Sequence, residues 1–253
     1  MGKEKERIDQ LLVDKGFFTS RTRAQAAIMA GLVYVGQKKI DKSGSFFSPD
    51  AEIEVRGEPH PYVGRGGVKL EGALKEFNLN VKGKVALDIG ASTGGFTDCL
   101  LQRGAVKVYA IDVGYGQLAW KLRQDNRVGV IERTNVRHLT PEKLKAKIPY
   151  SELRTPNLAV IDVSFISLSK VLPAVYNLLE DKAEVIALIK PQFEAKRGEV
   201  GKGGIVRSEE VRSSVIEKVK AEAEAIGFES KGIVPSPITG ADGNVEFFIY
   251  LVK

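Results

Sequence analysis

Four ionisable residues lie in surroundings where charge is costly. Asp162 follows the apolar run Leu158–Ile161, Lys190 follows Val185–Ile189, Glu246 precedes Phe247–Tyr250, and Lys69 belongs to the helix start Gly66–Leu70. Such a lysine or carboxylate needs a partner, because desolvation penalises its charged form. One reading is a structural ion-pair network. The other is chemical: two neighbouring ammonium groups disfavour each other's charge, so one lysine can be neutral and take a proton from a hydroxyl while the carboxylates orient the pair.

A second constellation occupies the turn Asp88-Ile89-Gly90-Ala91-Ser92-Thr93-Gly94-Gly95-Phe96-Thr97. Small residues let the backbone approach a ligand, and the start of the following helix offers unpaired amide donors. Gly90 is followed by three residues before Gly94-Gly95, which is not the GxGxxG of dinucleotide enzymes and suits a ligand without a pyrophosphate. Asp88 is expected beneath the loop, accepting a hydrogen bond. Asp112, at the end of the next strand, can hold both hydroxyls of a ribose. These features fit S-adenosylmethionine, with Gly90, Ala91, Ser92, Gly94, Gly95 and Phe96 near its amino-acid end and Asp112 near its ribose. Asn135, after the third strand, is placed facing the adenine, although asparagine is common in such loops.

Positioning these groups requires strands that end at one edge. Val85–Ile89, Val106–Ile111, Val128–Ile131, Leu158–Val163, Val185–Ile189 and Phe247–Val252 read as strands. Helical stretches such as Gly94–Arg103 and Glu209–Ile226 separate several of them. The alternation predicts a mostly parallel, doubly wound sheet whose ligands sit outside the strands' carboxyl ends. In front of it, Arg7–Gly16 and a helix capped by Ser20 and ending at Gly31 precede short strands at Leu32–Val35, Lys38–Ile40 and Glu52–Val55. Arg56–Pro61 reads as a linker, which places a domain boundary near residue 60. Arg7, Arg21, Arg23 and Gln25 gather at helix starts and Lys38 and Lys39 at the hairpin, forming a basic edge suited to RNA phosphates. A solvated charged face, or a helix-turn-helix DNA reader, would carry a similar pattern, but the hairpin after the second helix favours RNA.

The order Lys69, Asp162, Lys190, Glu246 resembles the lysine-aspartate-lysine-glutamate tetrad of FtsJ-type ribose 2'-O-methyltransferases, and Asp88–Phe96 resembles their cofactor loop. More narrowly, Gly64–Leu70, Ile161–Leu168, Ile189–Glu194 and Gly201–Val206 are similar to the TlyA family, named hemolysin A and known as rRNA methyltransferases. The stretches Arg7–Leu12, Ser20–Gln25 and Gly31–Gly36 resemble an S4 RNA-binding domain. The resemblance implies an α/β chain: a small N-terminal α+β S4 domain over residues 1–60, then a Rossmann-like S-adenosylmethionine-dependent methyltransferase domain over residues 61–253. It implies Lys69, Asp162, Lys190 and Glu246 as the catalytic set, with Arg65 joining the RNA-binding residues. It also implies a cytidine ribose in small- or large-subunit rRNA as acceptor, with ribosomal RNA or ribosomal subunits as partners. In the expected in-line displacement Lys190 activates or positions the 2'-hydroxyl, Lys69 and Glu246 tune and orient Lys190, and Asp162 fixes its ammonium or the developing proton. Which lysine takes the proton stays open.

Composition narrows the alternatives. A net charge of +6, from 38 basic and 32 acidic residues, is compatible with a polyanionic partner without demanding one. The lone Cys99 cannot form an internal disulfide, the first ten residues lack the apolar run of a signal peptide, and no apolar stretch approaches the ~20 residues that cross a bilayer. A cytoplasmic location and no membrane association are therefore expected. His60 and His138 are too few and too far apart for a metal site, so metal-free chemistry is expected. Tyr115 and Trp120 read as packing residues, and Glu194–Val206 as a glycine-rich basic loop that is mobile or closes over RNA. Rival functions are a nicotinamide-dependent dehydrogenase, a non-catalytic RNA-binding or ribosome-assembly protein, and a pore-former; the loop spacing, the intact tetrad and the lack of an apolar span disfavour them in turn.

Overall fold

The computed structural model describes residues 5–29, 31–56, 60–149, 153–240 and 242–253. The chain divides into two compact units, residues 1–65 and 66–253. Part of the expected linker, residues 57–59, lies outside the described residues.

The first unit runs β1 (Glu6–Arg7), α1 (Ile8–Asp14), α2 (Arg21–Met29), β2 (Val33–Val35), β3 (Lys38–Lys39), β4 (Phe46–Phe47) and β5 (Ile53–Val55). The helices turn Ile8, Leu12, Ala24, Ala27 and Ile28 inward onto Phe18, Val33 and Ile40, the 3.6-residue spacing that makes one apolar face. β3, β2 and β5 form an antiparallel sheet in that order, and β1 pairs antiparallel with β4. Arg7, expected to open the first helix, pairs instead with Phe46 in β1. Two-residue strands leave no alternation in a sequence, so β1 and β4 have no detectable signature.

The second unit runs α3 (Gly66–Glu76), β6 (Val85–Ile89), α4 (Gly95–Gln102), β7 (Lys107–Ile111), α5 (Trp120–Arg123), β8 (Val128–Ile131), α6 (Pro141–Ala146), β9 (Leu158–Ile161), α7 (Leu172–Leu178), β10 (Glu184–Ile189), α8 (Pro191–Glu194), α9 (Glu209–Ile226), β11 (Glu229–Pro235) and β12 (Phe247–Val252). The seven strands lie in the order β11-β12-β10-β9-β6-β7-β8. β6 to β10 are mutually parallel, and β12 is antiparallel to both β10 and β11. Every residue of β6, β7 and β9 is buried, which is why these strands read as mostly apolar runs, interrupted by Asp88 and led by Lys107, rather than as alternation. β11 escapes such a reading: Glu-Ser-Lys-Gly-Ile-Val-Pro carries a glycine and a proline, tolerable only because the strand lies at the sheet edge. β9 stops at Ile161, two residues short of expectation, and Asp162 follows its last residue with its backbone N–H still donating to Ile89 O at 2.9 Å.

Candidate functional site

The register brings the chemistry to one edge. Ile89 pairs with both Ile111 and Ile161, and Ile189 with Phe247. Gly90, Asp112, Asp162 and Lys190 therefore each follow the last residue of a parallel strand. Glu246 precedes the first residue of the antiparallel β12, so it lies at the same edge.

Two lysine-carboxylate pairs form there. Lys69, buried on α3, donates to Glu246 Oε2 at 2.5 Å, and Glu246 is itself 2% exposed. Glycines permit the approach: a Cβ at Gly72 would strike Pro237, and one at Gly240 would strike the Glu246 carboxylate. Lys190 Nζ donates to Ser164 Oγ at 2.9 Å and lies 2.6 Å from Asp162 Oδ1. Lys69 and Glu246 were expected to tune and orient Lys190; the groups that its ammonium meets are Ser164 and Asp162. Glu246 is instead taken up by Lys69, because a buried carboxylate is stable only beside a compensating charge. Ser164 is a partner that the charged residues alone did not reveal.

The glycine loop lines a cleft of about 120 Å³ with Gly66, Gly90, Ala91, Ser92, Thr93, Gly95, Phe96 and Asp162. Asp88, Gly94, Asp112 and Asn135 do not line it. Gly90 has φ +85° and faces the Asp162 carbonyl so closely that no Cβ fits. Gly94, at φ +94°, is likewise closed off by Leu118 and Leu122. Asp88 is fully buried; its Oδ2 accepts from Thr97 N (2.9 Å) and Thr97 Oγ1 (2.6 Å), tying the strand end to the start of α4. Its Oδ1 has no partner, and burial pushes the carboxyl up to about 7 against the lowering effect of the Thr97 bonds. Asp112 accepts from Ser92 N and Gly114 N, both at 2.7 Å, which fixes the loop. Each of its oxygens keeps a second lone pair for a ligand hydroxyl. Asn135 Oδ1 caps the turn Val136–His138 by accepting from Arg137 N at 3.1 Å.

Around this edge, several residues depart from expectation. Tyr115 and Trp120 are not packing residues: they are 68% and 71% exposed, and the Arg133 guanidinium lies over the Tyr115 ring, 4.1 Å from its centroid. The glycine-rich loop is tied down at its C-terminal end. Buried Asn244 accepts from Val206 N (3.0 Å) and donates to Gly204 O (2.9 Å), two residues before Glu246. Glu194, also buried, accepts from Ser167 Oγ and Leu168 N, each at 2.6 Å.

Within the first unit, the basic edge has a buried organiser. Asp9 is 0% exposed and accepts from Arg7 (2.9 and 3.0 Å), Arg21 (3.1 Å) and Gln25 (2.7 Å). These hydrogen bonds, Arg7 foremost, hold its carboxyl far below the usual range. Arg7, Arg21 and Gln25 are thus held in one geometry, while Arg23, Lys38 and Lys39 are exposed. Arg65 closes the first unit. Among the described residues, no helix is long and apolar enough to cross a membrane and no His/Cys/Asp/Glu group could hold a metal.

Fold and site together define an α/β, Rossmann-like methyltransferase domain preceded by a small α+β module. Residues 62–253 match the FtsJ-like methyltransferase family and residues 6–53 the S4 domain, so the chain belongs to the FtsJ-like methyltransferase family. It is 51% identical to the provisionally named rRNA methyltransferase YqxC of Bacillus subtilis (strain 168), over 99% of this chain and 87% of that one. It is 44% identical to the 16S/23S rRNA (cytidine-2'-O)-methyltransferase TlyA of Mycobacterium tuberculosis (strain ATCC 25618 / H37Rv), over 97% and 89%. A solved structure of a provisionally named hemolysin from Streptococcus thermophilus superposes with a TM-score of 0.76 at 47% identity, covering 98% of this chain and 88% of that one.

Proposed function

We propose that this chain transfers a methyl group from S-adenosylmethionine to the 2'-hydroxyl of a cytidine ribose in ribosomal RNA. The observation that carries the reading is the convergence of two lysine-carboxylate pairs on the sheet edge that also holds the glycine loop. The relatives' names support rRNA as the acceptor. The residues present suit the cofactor: the cleft is lined by the small residues Gly90, Ala91, Ser92 and Gly95, which let a ligand approach the backbone, and Asp112 keeps a free lone pair on each oxygen for a ribose hydroxyl. Gly90, Ala91, Ser92, Gly95 and Phe96 would hold its amino-acid end, with Asp88 and Gly94 shaping the loop from behind, Asp112 at the ribose and Asn135 at the adenine. When bound, the cofactor supplies a methyl group on a positively charged sulfur.

The chain's own residues supply position and proton handling. Ser164 takes one N–H of Lys190 and Asp162 supplies the counter-charge, leaving Nζ to orient the acceptor hydroxyl or, when neutral, to take its proton. Asp162 then balances the ammonium so formed. Lys69 and Glu246, fixed by their own ion pair at the same sheet edge, complete the catalytic set by holding the acceptor ribose in place.

Residues 1–60 act as the RNA-binding module and residues 61–253 as the catalytic domain. Arg7, Arg21, Arg23, Gln25, Lys38, Lys39 and Arg65 contact phosphates of folded RNA, and Asp9 supports the reading by fixing three of them. An rRNA acceptor supports a cytoplasmic location. The test is incubation with labelled S-adenosylmethionine and separated ribosomal subunits, followed by mapping of the label. Label on a cytidine 2'-oxygen, lost in Lys190→Ala while RNA binding survives, is the expected result. Label on a base would overturn the reading.

A further inference from the structure

We propose that Glu194 is a positioning residue that fixes Lys190 for methyl transfer by clamping the loop between β9 and α7. The proposal rests on the assignment of Lys190 as the residue that handles the acceptor hydroxyl. Three ties join residues 164–168 to residues 190–194. At one end Lys190 Nζ donates to Ser164 Oγ at 2.9 Å. In the middle the rings of Phe165 and Phe193 lie 5.1 Å apart. At the other end Glu194 Oε2 accepts from Ser167 Oγ and Oε1 from Leu168 N, each at 2.6 Å.

Glu194 is the strongest of the three ties and the most deeply placed, with only 6% of its surface exposed. Burial raises its carboxyl, the Ser167 and Leu168 bonds oppose that, and Lys218 donates to its main-chain carbonyl at 3.2 Å. A carboxylate is kept in such a place only where its acceptors are in use. What it secures is a loop with a cost of its own: Phe165 sits at φ +62°, a left-handed conformation that a phenylalanine adopts only when its surroundings impose it. The same loop begins with Asp162 and Ser164, the two partners of Lys190. Freeing its far end lets both partners drift from Nζ, and displacement of a reacting group by about 1 Å costs up to about 100-fold in rate.

The experiment uses the full-length protein as Glu194→Ala, Glu194→Gln and Ser167→Ala, with two readouts. One is kcat and KM for S-adenosylmethionine and for ribosomal subunits. The other is the rate at which acetic anhydride acylates Lys190 and Lys69, read by peptide mass spectrometry, which needs no substrate. Glu194→Ala is expected to lower kcat by roughly 10- to 100-fold, leave KM for ribosomal subunits unchanged, and raise acylation of Lys190 without raising that of Lys69. Glutamine keeps one acceptor for Leu168 and offers Ser167 a donor, so Glu194→Gln recovers most of kcat. Ser167→Ala, which removes one tie and folds more readily, shifts Lys190 in the same direction by less. Equal loosening of Lys69 and Lys190, or an unchanged Lys190 rate in both alanine variants, would overturn the proposal. Failure of the wild type to methylate ribose would instead overturn the assigned reaction, and the acylation ratio would still decide the role of Glu194.

Discussion

The Lys69–Glu246 pair allows stability and catalysis to be separated by one set of variants. The Lys69 side chain is 9% exposed and that of Glu246 is 2% exposed, at an N···O distance of 2.5 Å. Lys69→Met leaves a buried carboxylate without its cation, and Glu246→Gln leaves a buried ammonium without its anion. Each is expected to cost about 3–5 kcal/mol, because the remaining ion keeps its desolvation penalty and loses its compensation. That is a large part of the ~5–15 kcal/mol that holds an ordinary domain together, and corresponds to a fall in Tm of roughly 6–20 °C for a domain of this size. The double variant Lys69→Met/Glu246→Gln buries no charge at this position and should recover most of the loss. Urea unfolding of all four proteins gives the coupling between the two sites. Methylation should stay abolished in the double variant even though its fold is restored. Single variants within about 1 kcal/mol of wild type, or a double variant equal to their sum, would show that the pair is not the buried, mutually dependent unit described here.

Asp88 should leave a signature in the pH dependence of stability. Its folded value of about 7 lies above the ordinary 3.8, so the stability it contributes is full below about 3.8 and is lost as pH rises through about 7. Thermal melts should show wild type losing ground to Asp88→Asn between those two pH values, and a pH-independent difference would refute this. Asn244→Ala strips the buried Val206 N–H of its acceptor and is expected to destabilise by about 1–3 kcal/mol; calorimetry checks the magnitude, and faster amide exchange at Val206 checks the cause. Lys38→Ala/Lys39→Ala should weaken RNA binding and reduce the slope of log affinity against log salt by about two, one per phosphate contact. An unchanged slope in filter-binding titrations would remove the hairpin from the RNA interface.

Much of the fold was legible because burial simplifies sequence. β6, β7 and β9 are covered on both faces and therefore read as mostly apolar runs, Asp88 and Lys107 apart, and Ser208 and Gly227 bracket α9 with a side-chain cap and a left-handed turn at φ +116°. What was less legible lies at edges and in short elements. β11 tolerates a glycine and a proline because it has a neighbour on one side only. β1 and β4 are too short for any period to show. Tyr115 and Trp120 were misplaced because aromatic character signals burial only on average.

By itself the sequence determined which residues would be chemically conspicuous. Lys69, Asp162, Lys190 and Glu246 stand out because charge beside apolar strand residues is unfavourable without a partner. The tertiary structure alone decided who the partners are: Lys69 with Glu246 across most of the chain, Lys190 with Asp162 and Ser164 across two neighbouring strand ends. Pairing depends on strand register and on the glycines that let Pro237 and Glu246 approach α3, and both are properties of packed backbones rather than of residue order. The same holds for Glu194 and Asn244, whose buried hydrogen bonds reach segments 26 and 38 residues away. No local pattern encodes such contacts, because a polar side chain finds its acceptor or donor only after the core has excluded water from both.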